Sequence, residues 1–347
     1  SKNGLDILLM SDNGLDTVGG EQESTKIIIN GLKGKYSLGV IQPGNISKPI
    51  KGVTYFNLTE HTRMKHLIRN PFAFIKYILK VKQIINSKKP RIIHTQAQVS
   101  FFIVALLKKI RLISKGNYLI HTERGLYTKY NTFFKYIFYF FMRELNMLVT
   151  TTEFNMKYWK EALNKREFLL DYRIIENTAG ELFEVYDDSL NVKDEKKLII
   201  GFAGRYCDWK NWPLAVEISE KLDDIIGSRL EVKMAVGCLD EKALKETKLM
   251  FQRLDEVFGC RFDGKINITI EEMNKFYYDI DVFILTSAPN TESFGRTVVE
   301  AMSRKTVVLT TDAGGSVEVV GNPDNVYKSA EDCVERILEF FNNKEKM

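Results

Sequence analysis

The stretch Val282-Phe-Ile-Leu-Thr286, followed closely by Glu292-Ser-Phe-Gly-Arg-Thr-Val-Val-Glu300, decides the class of fold. The first run is apolar and short, as a buried strand requires, and the second places a Ser-Phe-Gly turn before an apolar helix start. A strand, a loop and a helix N-terminus in this order form the usual place where an α/β sheet holds a phosphorylated ligand. Glu292 and Glu300 would flank that helix start and accept hydrogen bonds from ligand hydroxyl groups.

The spacing of these two carboxylates is not diagnostic by itself. The same separation recurs in three other pairs, Glu153 and Glu161, Glu176 and Glu184, and Glu331 and Glu339. Such a spacing is ordinarily explained by two glutamates on a solvated helix, so only the surrounding motifs can indicate a functional site.

Apolar strand-like runs alternate with amphipathic stretches along the whole chain, which predicts two parallel sheets covered by helices. The predicted strands are Ile7–Met10, Leu38–Ile41, Gly52–Phe56, Arg91–His94, Asn117–Ile120, Met147–Thr150 and Arg173–Ile175, then Leu198–Gly204, Glu231–Val236, a strand at Phe262, Val282–Leu285 and Val307–Thr310. A polar run at 187–197 is a plausible linker. We therefore predict an N-terminal domain over 1–184 and a C-terminal domain over 185–347.

Composition narrows the functional classes. The 347 residues suffice for about two domains, and no apolar run approaches the ~18 residues of a membrane span. The apolar run Leu5–Met10 lacks a basic flank and predicts a first strand rather than a leader peptide. The four cysteines are far apart, which predicts reduced thiols and a cytoplasmic location, and the histidines show no paired spacing that would predict a metal site.

The two halves carry opposite charge. Residues 1–184 hold 28 Lys and Arg against 15 Asp and Glu, a net charge of +13, whereas residues 185–347 hold 22 against 30, a net charge of −8. This asymmetry predicts that the first domain meets an anionic partner, although compositional drift is the plainer explanation.

Two basic segments of the first half are rich in aromatic side chains, 61–91 and 126–143. They read either as helices that lie on an anionic membrane surface or as ordinary core faces with solvated backs. The first reading predicts a protein that is peripheral on the inner face of the membrane.

Two glycine- or cation-bearing turns follow predicted strands. Gly19 and Gly20 precede a helix that we expect to begin at Glu21, so the backbone could approach a phosphate or a sugar closely. Arg205 and Lys210 follow the strand that begins at Leu198, and two cations at a strand end suit a diphosphate. The alternative for the glycine pair is a simple tight turn, and the alternative for Arg205 and Lys210 is a solvated basic loop.

A second glycine turn, Asp312-Ala-Gly-Gly-Ser-Val-Glu318, follows another predicted strand. His94 and His121 each end a strand of the first half, at the same sheet edge as the glycine pair. A histidine in that position is more often structural than catalytic.

In their order these motifs resemble those of the large retaining glycosyltransferase family 4, which has the GT-B fold. The motifs are Gly19-Gly20, His121-Thr-Glu-Arg-Gly125, Ile175-Glu-Asn-Thr-Ala-Gly180, Gly204-Arg-x4-Lys210, Val236-Gly237, Phe262-x-Gly264, Glu292-x7-Glu300 and Ala313-Gly-Gly-x-x-Glu318. Each is weak alone, but together they span most of the chain.

The resemblance implies two Rossmann-like domains with a nucleotide-sugar donor in a cleft between them, and catalysis that requires no metal or other cofactor. Arg205 and Lys210 would hold the diphosphate of the donor, with UDP as the preferred carrier. Glu300 would accept from the ribose, and Gly19 and Gly20 would close over the phosphate. Glu292 and the amides around Ser293, Phe294 and Gly295 would hold the sugar.

The family often has Thr-Glu-His-Gly where this chain has Thr122-Glu-Arg-Gly125. The catalytic role of the family histidine therefore falls either to His121, three positions earlier, or to Arg124, which could contact donor or acceptor instead. The basic first domain would bind the acceptor, an envelope glycan, a lipid-linked phosphate or a polyanionic polymer.

Two other classes remain open. A nucleotide-sugar epimerase or phosphorylase on the same scaffold would consume donor without an acceptor. A nucleic-acid-binding protein would explain the basic half but would leave the Arg205, Lys210 and Glu292 motifs without a use, so we expect no nucleic-acid partner.

Overall fold

The computed structural model of the protein describes residues 4–17 and 19–343. Val18, the last residue of the loop predicted before the glycine pair, lies outside the described residues. The chain divides into two compact units, residues 1–177 and 178–347.

The described part of the first unit is a seven-stranded parallel sheet with helices between the strands. Its strands are β1 (Ile7–Met10), β2 (Leu38–Gln42), β3 (Val53–Asn57), β4 (Ile92–Thr95), β5 (Tyr118–Thr122), β6 (Met147–Thr150) and β7 (Asp171–Ile174), and its helices are α1 (Gly20–Leu32), α2 (Met64–Leu67), α3 (Pro71–Lys88), α4 (Gln98–Lys109), α5 (Thr132–Met142) and α6 (Glu153–Asn164).

The described part of the second unit is a six-stranded parallel sheet of the same construction. Its strands are β8 (Leu198–Arg205), β9 (Leu230–Gly237), β10 (Phe262–Ile266), β11 (Val282–Leu285), β12 (Val307–Thr311) and β13 (Val326–Tyr327), and its helices are α7 (Trp212–Ile226), α8 (Glu241–Phe258), α9 (Ile270–Asp279), α10 (Arg296–Ser303), α11 (Gly315–Val320) and α12 (Ala330–Asn342).

The strand orders are β3-β2-β1-β4-β5-β6-β7 and β10-β9-β8-β11-β12-β13. In each sheet the chain first moves outward to one side and then crosses back to the other. The direction reverses between β1 and β4 in the first sheet and between β8 and β11 in the second. In open parallel sheets this reversal leaves a crevice at the carboxyl ends of the strands, where ligands bind. The predicted pair of parallel α/β sheets is confirmed.

The crevice of the second sheet is already visible in the strand pairing. The β8–β11 ladder ends at the pair Gly201 and Phe283, whereas β8 stays paired with β9 as far as Arg205. The two strands therefore separate before they end, and the loops that follow them line the gap.

The second unit begins earlier in the chain than residue 185, the start that the sequence predicts. Phe183 is buried in the core of the second unit, and Arg304 donates to the carbonyl oxygens of Leu182 and Phe183. The segment after Asn177 therefore packs with the second sheet, although its polar composition resembles a linker.

Among residues 4–17 and 19–343, no helix is both long and apolar enough to span a bilayer.

Candidate functional site

The central feature of the second unit is an ion pair that joins the two loops at its crevice. Lys210 Nζ lies 2.5 Å from Glu292 Oε1, and Ser287 Oγ donates to the same oxygen at 2.7 Å. Lys210 follows β8, whereas Ser287 and Glu292 follow β11. Both charged side chains are largely buried. The predicted cation and the predicted carboxylate therefore meet at the point where ligands bind in such sheets.

The backbone holds the loops on both sides of this pair together. Thr286 Oγ1 donates to the carbonyl oxygen of Lys210 at 2.7 Å, and the amide of Ala288 donates to the carbonyl oxygen of Trp209 at 2.8 Å. Gly204 leaves room for the lysine stem, because a Cβ there would lie 3.3 Å from Lys210 Cε. The position of the ammonium group is thus set by the chain and not by the ion pair alone.

The glycine turn after β12 supports Glu292. The amide of Glu292 donates to the Ala313 carbonyl oxygen, and the amide of Gly315 donates to the Glu292 carbonyl oxygen, each at 2.9 Å. Glu292 and Gly314 thus form a short parallel bridge between two loops. The sequence predicts this turn and Glu292 as separate motifs, whereas in the structure one holds the other.

Arg205 lies beside the pair and carries the uncompensated charge of the site. Its side chain is exposed and forms no ion pair with any residue in the described ranges. The guanidinium carbon is 6.0 Å from the centre of the Trp209 ring, and Lys210 Nζ is 4.6 Å from the same ring. One indole therefore lies against both cations, a favourable contact with the electron-rich ring face.

The loop from Ser293 to Gly295 leads directly into α10. Phe294 is buried and fixes the loop to the core, while Ser293 and Gly295 are half-buried. Gly295 is the N-cap of α10 with a φ of 85°, a conformation that favours glycine. The helix N-terminus carries partial positive charge, so this loop suits a negatively charged or hydroxyl-rich group.

Glu300 has a protein partner of its own. Its Oε2 accepts from the hydroxyl of Tyr277 at 2.8 Å, and its side chain is buried. Burial, with the nearby Glu300 carboxylate, raises the pKa of Tyr277 well above its usual value, so the phenol stays a hydrogen-bond donor. Glu300 thus lies inside α10, whereas Glu292 lies in the loop before this helix.

The first unit has a cavity of about 250 Å³ at its own point of strand reversal, between the ends of β1 and β4. The residues that line it are Asp12, Asn13, Glu21, Gln96, Ala97, Gln98, Val99, His121, Thr122, Glu123, Arg124 and Gly125.

Gly19 and Gly20 begin the helix α1 that borders this cavity, and the helix starts at Gly20 rather than at Glu21. Glu21 reaches back and accepts from Ser11 Oγ, the Asp12 amide and Asn13 Nδ2 at 2.5 to 3.0 Å. Burial raises the pKa of Glu21, and nearby Asp12 adds to the effect. The glycine pair therefore lies beside a loop fixed by a buried carboxylate.

His121 lines the cavity and is fully buried. Its Nδ1 lies 2.9 Å from Thr95 Oγ1, its Nε2 lies 3.0 Å from Glu123 Oε2, and its ring stacks on Phe101. Both ring nitrogens are thus engaged by the protein. His94 is half-buried and contacts Thr122 Oγ1 at 2.7 Å.

Arg124 forms hydrogen bonds with the last residue of the first unit and with the loop after β4. One guanidinium nitrogen donates to Gln96 Oε1 at 2.8 Å and another to Asn177 Oδ1 at 3.1 Å. Asn177 also accepts from Ser24 Oγ. Of the two candidates for the family histidine, both line the cavity, Arg124 half-buried and His121 fully buried.

The site residues that were not singled out from the sequence include Ser287, Trp209, Asp12 and Glu21. Asp12 accepts from the amides of Val99 and Ser100 and from Ser100 Oγ, and so caps α4. The signal that could have found Asp12 and Ser287 is their position just after a strand that borders the reversal. Glu21 directly follows the glycine pair.

The sequence of the second unit matches a known family. The family described as "Glycosyl transferases group 1" matches residues 187–347. A curated relative, the capsular polysaccharide biosynthesis glycosyltransferase CapM of Staphylococcus aureus, is 23% identical over 265 residues. That alignment covers 72% of this chain and 66% of the relative.

Solved structures resemble the whole chain. The Anabaena protein HepE, solved in complex with UDP and glucose, has a TM-score of 0.70 at 16% identity, covering 99% of this chain and 91% of that one. Sucrose-phosphate synthase from Thermosynechococcus elongatus has a TM-score of 0.71 at 14% identity, covering 98% and 90%. These likenesses show that the fold is that of GT-B glycosyltransferases, and the match to the glycosyltransferase family lies in the second unit.

Proposed function

We propose that the protein transfers a sugar from a nucleotide-sugar donor, a UDP-sugar by preference, to an acceptor, with retention of the anomeric configuration. The observation that carries the proposal is the cluster of Arg205, Lys210 and Glu292 at the reversal point of the second sheet. It places two cations and a carboxylate where a diphosphate and a sugar would lie side by side.

The two cations take up the charge that develops on the departing diphosphate. An ammonium group has three donors, so Lys210 can keep Glu292 and still donate to a phosphate oxygen. Arg205 can grip a second oxygen pair bidentately, since it forms no ion pair within the described residues. Removal of one such fixed donor typically costs roughly 3 kcal/mol of barrier, about a hundredfold in rate. The proposed reaction requires no metal.

Glu292 suits the sugar. The bonds from Lys210 and Ser287 both fall on Oε1, and within the described part of the chain Oε2 accepts none. We assign Oε2 and the amides of residues 293–295 to the sugar hydroxyls, and Glu300 to the ribose. Tyr277 donates to Oε2 of Glu300 and holds this carboxylate in place.

The acceptor belongs to the first unit. Residues 1–184 carry a net charge of +13, which suits an envelope glycan precursor, a lipid-linked phosphate or a polyanionic polymer. The Staphylococcus aureus relative is a glycosyltransferase of capsular polysaccharide biosynthesis. The four free thiols suit the reducing cytoplasm. Arg124 and Glu21 border the cavity that we assign to the acceptor, with His121 as the buried group that positions Glu123.

The donor is tested by thermal-shift screening of the pure protein against UDP-, GDP- and ADP-sugars. A donor that binds the folded state raises the melting temperature by mass action. We expect a rise with one nucleotide series, UDP first. No rise with any of them at millimolar concentration would contradict the proposal.

The stereochemistry and the competing activities need a separate measurement. NMR of the product made with the active donor should show the anomeric configuration of the donor, and an inverted product would contradict retention. Consumption of donor at the full rate without acceptor would instead favour an epimerase or a phosphorylase.

A further inference from the structure

Two helices of the first unit carry the same exposed apolar stripe. On α3 it consists of Phe72, Ile75 and Leu79, and on α5 of Phe133, Tyr136 and Phe140. Both sets have the spacing i, i+3, i+7, which places three side chains on one face of a helix. Phe72 is 87% exposed and Phe133 is 74% exposed. These six residues are called the paired stripe.

The stripe does not replace the core face of either helix. Tyr77 and Val81 of α3 and Phe138 and Met142 of α5 are buried in a single hydrophobic cluster on the sheet. Each helix is therefore apolar both toward the core and toward solvent. Core packing accounts for the inner face alone, so the outer face needs a different explanation.

Both halves of the stripe lie on the same side of the first sheet. The core faces of α3, α4 and α5 belong to one cluster, and every residue of α4 is buried or half-buried. Lys109 of α4 lies over the ring of Phe140, and Asn86 of α3 donates to the Leu112 carbonyl oxygen just after α4. The helix α4 is thus enclosed by its neighbours, and α3 and α5 form the outer surface.

The exposed phenylalanines begin their helices at the same edge of the sheet as the cavity. The carbonyl oxygen of Lys88, at the end of α3, accepts from the amide of Leu5 just before β1. Lys108 Nζ joins the carbonyl oxygens of Asn117, before β5, and Glu144, after α5. Both helices therefore end at the amino edge of the sheet and begin at the carboxyl edge.

The surface around the stripe is positively charged. Between Glu60 and Glu144 the sequence has 17 Lys and Arg and a single acidic residue, Glu123. Glu123 is buried against His121 and Tyr130. The side chains that this segment exposes therefore include cations but no carboxylate. The exposed cations of α2, α3, α5 and their immediate flanks include Lys65, Arg69, Lys76, Lys89, Lys129 and Arg143.

We propose that the paired stripe is a docking surface for an anionic lipid bilayer. Aromatic and aliphatic side chains on one face, flanked by Lys and Arg, are what an interfacial helix presents to acyl chains and anionic headgroups. A nucleic acid would use the cations but not Ile75 and Leu79. A protein partner would match the apolar residues, but nothing in this segment offers the mixed charge of a typical protein interface rim.

Docking of this kind would place the cavity of the first unit close to the headgroup layer. A lipid-linked acceptor would then reach the cavity without leaving the membrane. This consequence rests on the proposed function, whereas the docking itself does not, since nucleotide binding and vesicle binding are measured separately.

The test is cosedimentation of the full chain with two kinds of vesicle, phosphatidylcholine alone and phosphatidylcholine mixed about equally with phosphatidylglycerol. We expect binding to the mixed vesicles that weakens with added salt. The double variant Phe72→Ser/Phe133→Ser should lower the bound fraction on the order of tenfold, because it removes the two most exposed side chains of the paired stripe. The charge variant Lys76→Glu should lower it as well.

The matched control is Ile225→Ser, which removes an exposed apolar residue of α7 next to Asp224 and should leave vesicle binding unchanged. Melting curves check that each variant is folded. Phe133→Trp gives a second readout, a blue shift of its emission on mixed vesicles.

Three outcomes would each overturn the proposal. The double variant could bind mixed vesicles as well as the wild type does, or the wild type could fail to bind them. The wild type could also form a dimer that the double variant abolishes while vesicle binding stays unchanged, which would assign the stripe to a second copy of the chain. Release of the protein from vesicles by single-stranded nucleic acid, together with unchanged vesicle binding of the double variant, would also overturn it.

Discussion

Lys210 and Glu292 show how much a single pair of residues depends on the fold around it. Each is a surface-type side chain in sequence, yet each is largely buried against the other. Breaking one partner of a buried pair costs roughly 3 kcal/mol or more, because the other charge stays buried. The proposed function and local stability therefore depend on the same residues, and variants must be tested for folding before activity is compared.

At the same scale, sequence reasoning found the charged residues and missed their partners. Arg205, Lys210 and Glu292 were predicted because charge directly after an apolar strand is conspicuous. Ser287 was not, since a serine after a strand is common in any loop. The partners of Arg124 could not be predicted, because Gln96 and Asn177 come close to it only through the sheet.

His94 provides a test of the first unit at the level of one residue. Burial lowers the pKa of His94 to about 3, and the nearby His121 and Arg124 act in the same direction. The folded state therefore disfavours the protonated ring. Its contribution to stability is present above pH ~6.5, the ordinary value, and is lost as the pH falls from there toward 3.

We predict that the His94 ring stays neutral at pH 5 in the folded protein. NMR of protein labelled with nitrogen-15 at histidine measures this directly, and the urea-unfolded chain, in which the ring should titrate near pH ~6.5, is the control. A folded-state titration of His94 above pH 5 would show that the first sheet is more open to solvent at that edge than described.

Secondary-structure elements were predictable wherever apolar residues ran together. The bounds of β1, β6 and β11 agree with the sequence prediction. The strand β13 was missed because it consists of Val326 and Tyr327 alone and is recognised only by its pairing with Thr310 and Thr311. The strand β10 has the sequence Phe-Asp-Gly-Lys-Ile, and it was predicted only at Phe262. It lies at the edge of the sheet, where a strand needs few apolar residues.

The start of α10 gives a prediction at the level of an element. Gly295 has a φ of 85°, and a Cβ there would lie 3.3 Å from Val298 Cγ2. We expect Gly295→Ala to lower the free energy of unfolding by about 1–2 kcal/mol, the usual cost of a left-handed conformation for an L-residue. Urea denaturation followed by circular dichroism measures the change.

Gly31→Ala is the matched control for that experiment. Gly31 lies in α1, and a Cβ there would meet nothing within 4 Å. Alanine in a helix is favoured over glycine by roughly 0.5–1 kcal/mol, so this variant should be stabilised. Equal effects of the two substitutions would refute the backbone explanation for Gly295.

For the whole molecule, the sequence predicted two α/β units of opposite charge and both parallel sheets. It could not fix the point of division, because the contacts that anchor the residues after Asn177 to the second unit, the burial of Phe183 and the bonds from Arg304, appear only in the folded chain. Nor could it place the candidate sites, since the reversal of strand order appears only once the strands are paired. That reversal brings Lys210 beside Glu292 across a gap of many residues in sequence.

The central claim is that the Arg205, Lys210 and Glu292 cluster binds the diphosphate of a nucleotide sugar. Calorimetric titration with UDP, and with GDP and ADP as second titrants, tests it on folded wild-type protein and on Lys210→Met and Arg205→Met. The control is Lys221→Met, which removes a surface cation of α7 that pairs with Glu331.

The account predicts that one nucleoside diphosphate binds the wild type and the control alike, and that each cluster variant weakens binding about tenfold or more, the equivalent of roughly 1.4 kcal/mol. Unchanged affinity in folded Lys210→Met and Arg205→Met, or no binding of any of the three nucleotides to the wild type, would contradict it.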